Sequence, residues 1–235
     1  MTVLDNYIYT IIQQRRSGTA RPDLLQHLID EGLDDDLIRD QMLTMLIAGH
    51  DTSTAMLAWT FFLLGTHPLT YTQLVYEIDA ALDGQAPASV SGWQPRLLDH
   101  VIKESLRLYP PIHIGNRMVI EELELEGHKV AAGERLFYSI YLTHRDPEYW
   151  EHPEQFCPER FASGHKAPPF AFVPFGGGPR ACIGAAFGQA EARLVLARLL
   201  QTHSFELADS HVHAHMGATL EPRPGVFLRL RKRVR

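Results

Sequence analysis

The cysteine at position 182 stands in a setting where a metal could use its sulfur. The stretch Phe175-Gly176-Gly177-Gly178-Pro179-Arg180-Ala181-Cys182-Ile183-Gly184 places it in a glycine-rich loop, just where an apolar helical run begins. A helix N-terminus presents unpaired N–H groups and the positive end of the helix dipole, and both favour an anionic sulfur. Arg180 adds positive charge two residues away. The glycines let backbone approach something flat and bulky with no Cβ in the way. An inert, packed cysteine is the bland alternative. It leaves the glycines, the arginine and the helix start unexplained.

Three further groups of residues could do chemistry. Ala48-Gly49-His50-Asp51-Thr52 lies inside an apolar helical run, where Gly and an Asp-Thr pair lower helix propensity. Ala48 and Gly49 would allow close approach of a flat ligand, and Thr52 could bond back to the carbonyl of Ala48 and loosen the helix. A helix kinked for packing, with Asp51 paired to a surface base, explains those residues equally well. Glu104 and Arg107 meet on one helix face at i,i+3, which by itself reads as a solvated pair of little worth. His211, His213 and His215 alternate and share one face if extended, but no cysteine partner is near in sequence, and they read as a solvated loop rather than a metal site.

The cysteine loop resembles the haem-binding signature of the cytochrome P-450 family, F-x-x-G-x-R-x-C-x-G. All five specified positions match, at Phe175, Gly178, Arg180, Cys182 and Gly184. The resemblance implies a haem b cofactor with Cys182 as the proximal axial ligand of its iron, flanked by Phe175, Gly176 and Gly184. It implies that Ala48 to Thr52 is the distal helix, whose family pattern is A/G-G-x-D/E-T. There Ala48 and Gly49 would face the haem. Thr52 would hold dioxygen and a hydrogen-bonded water, and Asp51 would relay protons from solvent.

The resemblance implies three further sets of roles. Glu104 and Arg107 match the family's E-x-x-R pair, and Arg160, in Pro158-Glu159-Arg160-Phe161, fits its third partner in a buried network that fixes the Cys182 loop. Arg117 and Arg180 would each bind a haem propionate, since guanidinium matches carboxylate bidentately; a surface charge is the competing reading for Arg117. Ile112, His113 and Ile114, in the segment through Asn116, would line the substrate side, as would Ala218-Thr219.

The implied activity is that of a haem-thiolate monooxygenase. It inserts one atom of dioxygen into an apolar substrate, such as a fatty acid or terpenoid, and releases the other as water. With no flavin or iron–sulfur motif present, electrons would come from a ferredoxin or flavodoxin-like donor with an NAD(P)H-dependent reductase, entering on the Cys182 face.

The elements that must position these residues are mostly helices. Leu4, Ile8, Ile11 and Ile12 recur at helical spacing up to Arg15-Arg16-Ser17-Gly18. Pro22-Asp23 opens a short helix through Ile29. Asp34–Asp36 caps a longer one to Gly65 that is apolar on nearly all sides from Met42 onward, as expected of a buried central helix. Leu69–Leu82 and Leu97–Tyr109 are helical, the latter stopped by Pro110-Pro111, and Gly84–Pro95 is a loop. From Val119 to Gly133 the pattern alternates in short pieces, with Leu123, Leu125 and Val130 as strand positions. Leu136–Leu142 is a strand or a short helix.

His144–Pro169 is an irregular packed segment holding Cys157, and Ala185–Leu200 is a long helix. Glu221–Gly225 reads as a turn before a final strand, Val226–Leu230. Trp59, Trp93 and Trp150 read as core or rim. The expected class is mainly α with a small β portion. By resemblance it is a partial cytochrome P-450 fold, from the distal helix through the ligand loop and the helix after it.

The apolar and charged fractions are ordinary for a soluble globular protein. The net charge of -6 with mixed signs gives no nucleic-acid footprint. Two cysteines give no disulfide framework, which points to a reducing cytoplasm. Met1–Arg16 lacks the pattern of a signal peptide, and the apolar run near Ala55–Gly65 is too short for a membrane span. Residues 1–235 read as one partial domain that lacks the N-terminal half of the family fold, roof and much of the pocket included. Two alternatives follow from that truncated reading. One is a haem-binding remnant, or one half of a split oxygenase completed by a second polypeptide. The other is a peroxygenase driven directly by peroxide through an open site.

Overall fold

The computed structural model describes residues 2–87, 95–162 and 167–233. Trp93 and part of the loop assigned to Gly84–Pro95 lie outside them, as do the last two residues, Val234 and Arg235. The chain divides into two compact units, Met1–Asp51 and Thr52–Arg235.

The first unit holds α1 (Thr2–Ser17), α2 (Leu24–Asp30) and the first half of α3 (Asp35–Thr66). Ile8, Ile12, Leu25 and Ile38 form its core. Asp23 caps α2 by accepting the Gln26 N–H at 3.0 Å. The Arg15 guanidinium also bonds both Asp23 oxygens, and with that cap it holds the carboxyl down at about 2. The burial expected from Met42 onward is not there: Met45, Leu46 and Ile47 are exposed, Ile47 by 60 %. After Ile38, full burial along α3 resumes only at Ala55. An all-round apolar pattern marks a helix that can be covered on every side, but it does not name the element that covers it.

The second unit contains the rest of α3, α4 (Pro68–Leu82), α5 (Arg96–Leu108), α6 (Ile140–Thr143) and α7 (Ala185–Thr202). Among the described residues, four antiparallel two-stranded ribbons accompany these helices. β1 (Ile114–Met118) pairs with β4 (Arg135–Ser139), and β2 (Leu123–Leu125) with β3 (His128–Val130). β5 (His203–Leu207) pairs with β8 (Leu228–Lys232), and β6 (His213–Met216) with β7 (Leu220–Arg223). The core is built from Met56 and Leu64 of α3, Leu74 and Ile78 of α4, one face of α5, and Ala192, Leu196 and Leu200 of α7.

Helix α5 shows how sequence becomes placement. Leu98, Val101, Ile102, Ser105, Leu106 and Leu108 are buried on its 3.6-residue repeat. Its N-cap, Pro95, offers no capping side chain. Glu77 of α4 takes that role, accepting the Leu97 N–H at 3.0 Å and the Leu98 N–H at 3.3 Å. At the other end α5 stops before Pro110-Pro111. Trp59 of α3 stacks flat on Tyr109 with ring centroids 3.7 Å apart, and its indole N–H donates to the Leu220 carbonyl at 2.9 Å. Leu220 in turn donates its N–H to the Pro111 carbonyl at 2.8 Å. One buried indole thereby ties α3 to the chain on both sides of the substrate-facing candidates.

Several assignments move. Leu136–Leu142 is both of the alternatives, a strand that turns into a helical turn at Ser139, whose hydroxyl accepts the Leu142 N–H. Residues 114–118 form a strand with no alternating signal, because β1 is exposed along most of its length. Glu221–Gly225 is not simply a turn. Residues through Arg223 pair with β6, and Pro222 is tolerated because the ribbon has only edge strands. The last strand accordingly begins later, at Leu228. His213 and His215 lie on exposed β6, not in a loop.

Candidate active site

Cys182 lies in the second unit, two residues before Gly184, the N-cap of α7. Its thiol is exposed, and its N–H donates to the Phe175 carbonyl at 2.8 Å. That bond closes the loop across seven residues. Between its ends the backbone turns at Gly176 (φ +69°) and Gly178 (φ +67°), angles a residue with a Cβ adopts only under strain. A single turn of 3-10 helix, Gly178–Arg180, then delivers the chain to Cys182. The Phe175 ring packs against the core, so this residue serves the loop through its carbonyl and its anchorage. Arg180 is exposed.

Behind the loop lies a charged group in which Glu104 and Arg107 have no exposed side-chain surface and the Arg160 side chain is 8 % exposed. Arg107 donates from Nε and Nη2 to the two oxygens of Glu104, at 2.8 and 2.9 Å. Its remaining bonds go to the carbonyls of His144 (2.8 Å), Pro153 (2.7 Å) and Gln155 (3.1 Å). Arg160, in the 3-10 turn Pro158–Phe161, donates to Glu104 at 2.9 Å and to the carbonyl of Glu151 at 3.0 Å. Glu104 also accepts the Cys157 N–H at 2.9 Å. Each charge is paired and each donor directed, the condition under which a buried ion group is tolerated. Cys157 serves by its backbone; its thiol is half-buried, and burial pushes the thiol's pKa up.

The other candidates fall into separate places. Arg117, on β1, lies over the Tyr138 ring at 5.4 Å and shares with Gly176 the lining of a cavity of about 560 Å³. Ile112 and Ile114 are exposed. His113 is half-buried; its carbonyl accepts the Tyr141 N–H at 3.1 Å, and its Nδ1 is buried with no partner. Ala48, Gly49 and Asp51 belong to the first unit, and Thr52 opens the second. Asp51 bonds His50 Nδ1 at 2.7 Å, both side chains being exposed, so the pairing with a neighbouring base that competed with a relay role is present. Among the described residues, and apart from its own helix backbone, no atom stands within 4 Å of where a Cβ of Gly49 would project.

Two features escaped the sequence reading. Ser53, next to Thr52, donates to Glu191 at 2.8 Å and so joins α3 to α7, the helix that follows Cys182. His144 is wholly buried between α5 and the chain leading to the cysteine loop. Neither carried a local signal, because each partner is far away in sequence.

Residues 1–228 match the cytochrome P-450 family model. The chain belongs to the cytochrome P-450 family. It is 35 % identical to a putative cytochrome P-450 139 of Mycobacterium tuberculosis, over 97 % of this chain and 56 % of that protein. It is 36 % identical to LUTEIN DEFICIENT 5, a chloroplastic protein of Arabidopsis thaliana, over 91 % of this chain and 38 % of that one. A chloroplastic carotene epsilon-monooxygenase of the same plant is 34 % identical, over 91 % and 41 %. The chain spans about half the length, or less, of these curated relatives. With chloroplastic proteins among them, the relatives do not point to one compartment. No described helix is long and apolar enough to cross a membrane.

Cytochrome P-450 proteins bind haem b. The residues present fit that group. An exposed thiol is flanked by Ile183, 89 % exposed, and Phe187, 74 % exposed. Two neighbouring large apolar side chains left in water are the kind of surface a flat apolar ligand covers. Gly178, in the same loop, has open space on its Cβ side.

Proposed function

We propose that this chain carries the proximal ligand, the distal proton-handling residues and the structural network of a haem-thiolate monooxygenase acting on an apolar substrate. The observation that supports this most strongly is the Cys182 loop. An exposed thiol on a closed glycine turn stands ahead of a helix, backed by a fully satisfied buried ion group. Haem, when bound, supplies the oxygen chemistry, and a thiolate ligand favours O–O cleavage. The chain's own residues do the rest. Cys182 gives up its proton and presents the sulfur. Arg117 and Arg180 hold propionates by charge-assisted hydrogen bonds. Thr52 keeps a proton at its hydroxyl for dioxygen, and Asp51, with His50 beside it, replenishes that proton from solvent. Ile112 and Ile114 give the substrate an apolar contact. Electrons come from a ferredoxin or flavodoxin-like donor and its NAD(P)H-dependent reductase.

The test is the spectrum of the reduced protein under carbon monoxide. The expected result is the red-shifted Soret band of thiolate-ligated haem, absent in Cys182→Ala. A haem-loaded wild-type protein without that band would overturn the ligand assignment. With redox partners supplied, Thr52→Ala should consume reductant without matching product. Unchanged coupling would remove Thr52 from proton handling.

A further inference from the structure

Among the described residues, Glu104, Arg107 and Arg160 make no side-chain hydrogen bond to the segment Phe175–Gly184. Their bonds end on the backbone of residues 144–157. A second connection is needed between this group and the cysteine loop, and His144 makes it.

His144 and Arg107 hold each other twice. The Arg107 guanidinium donates to the His144 carbonyl at 2.8 Å, and His144 Nδ1 lies 3.2 Å from the Arg107 carbonyl. A carbonyl only accepts, so Nδ1 carries the ring proton. On the other side of the ring, the Val173 N–H donates to Nε2 at 2.9 Å. That bond requires a lone pair on Nε2. The two contacts therefore assign the same neutral tautomer independently. From Val173 the chain continues by backbone bonds alone: its carbonyl accepts the Gly176 N–H at 2.9 Å, and the Phe175 carbonyl accepts the Cys182 N–H at 2.8 Å. The ring packs on Phe172 with centroids 5.3 Å apart, and Phe172 packs on Phe161 and Trp150.

We infer that His144 is a positioning residue for Cys182, a neutral imidazole that fastens the start of the ligand loop to the buried ion group through Val173. The consequence for the thiol rests on reading Cys182 as the haem ligand; the fastening itself does not. A side chain here must donate at one end and accept at the other, and must stay uncharged. Burial, ahead of every other influence, lowers the ring's pKa to about 4, against the pull of the Arg107 carbonyl. The charges facing it, Arg107 and Arg145, act in the same direction as burial. A second proton would sit on Nε2, pointing at an N–H.

Three measurements on the full chain test this. Ring nitrogen NMR of the wild-type protein should show the Nδ1–H tautomer of His144 with no titration across the neutral range. The Nε2–H tautomer would overturn the proposal, whether or not any variant folds. In His144→Phe, the Val173 amide should exchange with solvent about tenfold faster or more, and His144→Gln, whose carbonyl can accept that N–H, should restore most of the protection. Unchanged exchange at Val173 in a folded His144→Phe protein would also overturn it. In haem-loaded protein, His144→Phe should shift part of the carbon monoxide spectrum from the thiolate to the neutral-thiol form, and His144→Gln should reverse the shift. Persistence of the thiolate band in Cys182→Ala would instead refute the ligand assignment and leave the exchange and tautomer results standing.

Discussion

Arg107 and Cys182 lie at two ends of one path of contacts and are built on opposite terms. Arg107 has no exposed surface and directs its donors at one carboxylate and three carbonyls. Cys182 is exposed and is located by a backbone bond and two left-handed glycines. The buried group is over-determined, and the exposed one is held lightly at its tip. On the proposed role, a thiol that meets a ligand cannot be surrounded by protein, so its position has to come from behind. The same contrast holds within α3, where the residues from Ala55 onward are packed and the stretch around Ile47 is open.

Removing a charge from the buried group should give the largest change. Glu104→Ala leaves Arg107, and largely Arg160, as buried cations without a counter-ion. Urea unfolding should show a loss of about 3–5 kcal/mol. A loss below about 1 kcal/mol would mean that the carbonyls alone satisfy the arginines.

Acid should come next, through His144. Its folded pKa of about 4 lies below the ordinary value of 6.5, so the unfolded chain binds the proton first as pH falls. Stability is then complete above about pH 6.5 and is lost down to about pH 4, by about 3 kcal/mol. Asp23 acts in a lower window. Its carboxyl is held at about 2, so its contribution persists above 3.8 and disappears as pH falls towards 2. Unfolding midpoints of wild type and His144→Gln, measured from neutral to acid, should diverge only in the upper window.

How far this comparison could be read from the sequence depends on distance along the chain. The Cys182 loop was legible because its glycines, arginine and cysteine are neighbours whose spacing means something locally. Glu104 and Arg107 are one helical turn apart, and only family resemblance distinguished them from a solvated pair. His144 could not be read in this way. Its partners are 37 and 29 residues away, and both are backbone groups that any residue type could supply. The ribbon of β1 and β4 was obscure for a different reason: it is mostly exposed, so no face of β1 had to be apolar. The expected burial of α3 at Met45–Ile47 failed because an apolar pattern states a capacity for contact and not its fulfilment.

Two smaller effects sharpen the contrast. Trp59→Phe keeps the stack on Tyr109 but leaves the carbonyl of buried Leu220 without the indole proton, at a cost of about 1–3 kcal/mol in a urea titration. A negligible loss would show that another donor reaches that carbonyl. Cys182→Ala should change stability by no more than about 0.5 kcal/mol, because the thiol is exposed, while abolishing the thiolate spectrum. A large loss of stability there would break the division between anchoring core and lightly held tip.

Trp150 gives the protein a native optical reporter for this division. Its ring has no exposed surface, the Arg107 guanidinium lies 5.3 Å from the ring centre, and its indole N–H donates to the Thr143 carbonyl at 3.2 Å. An indole's emission colour follows the field and the water around it. With Trp59 and Trp93 replaced by Phe, light from Trp150 should therefore register the loosening of the ion group beside it.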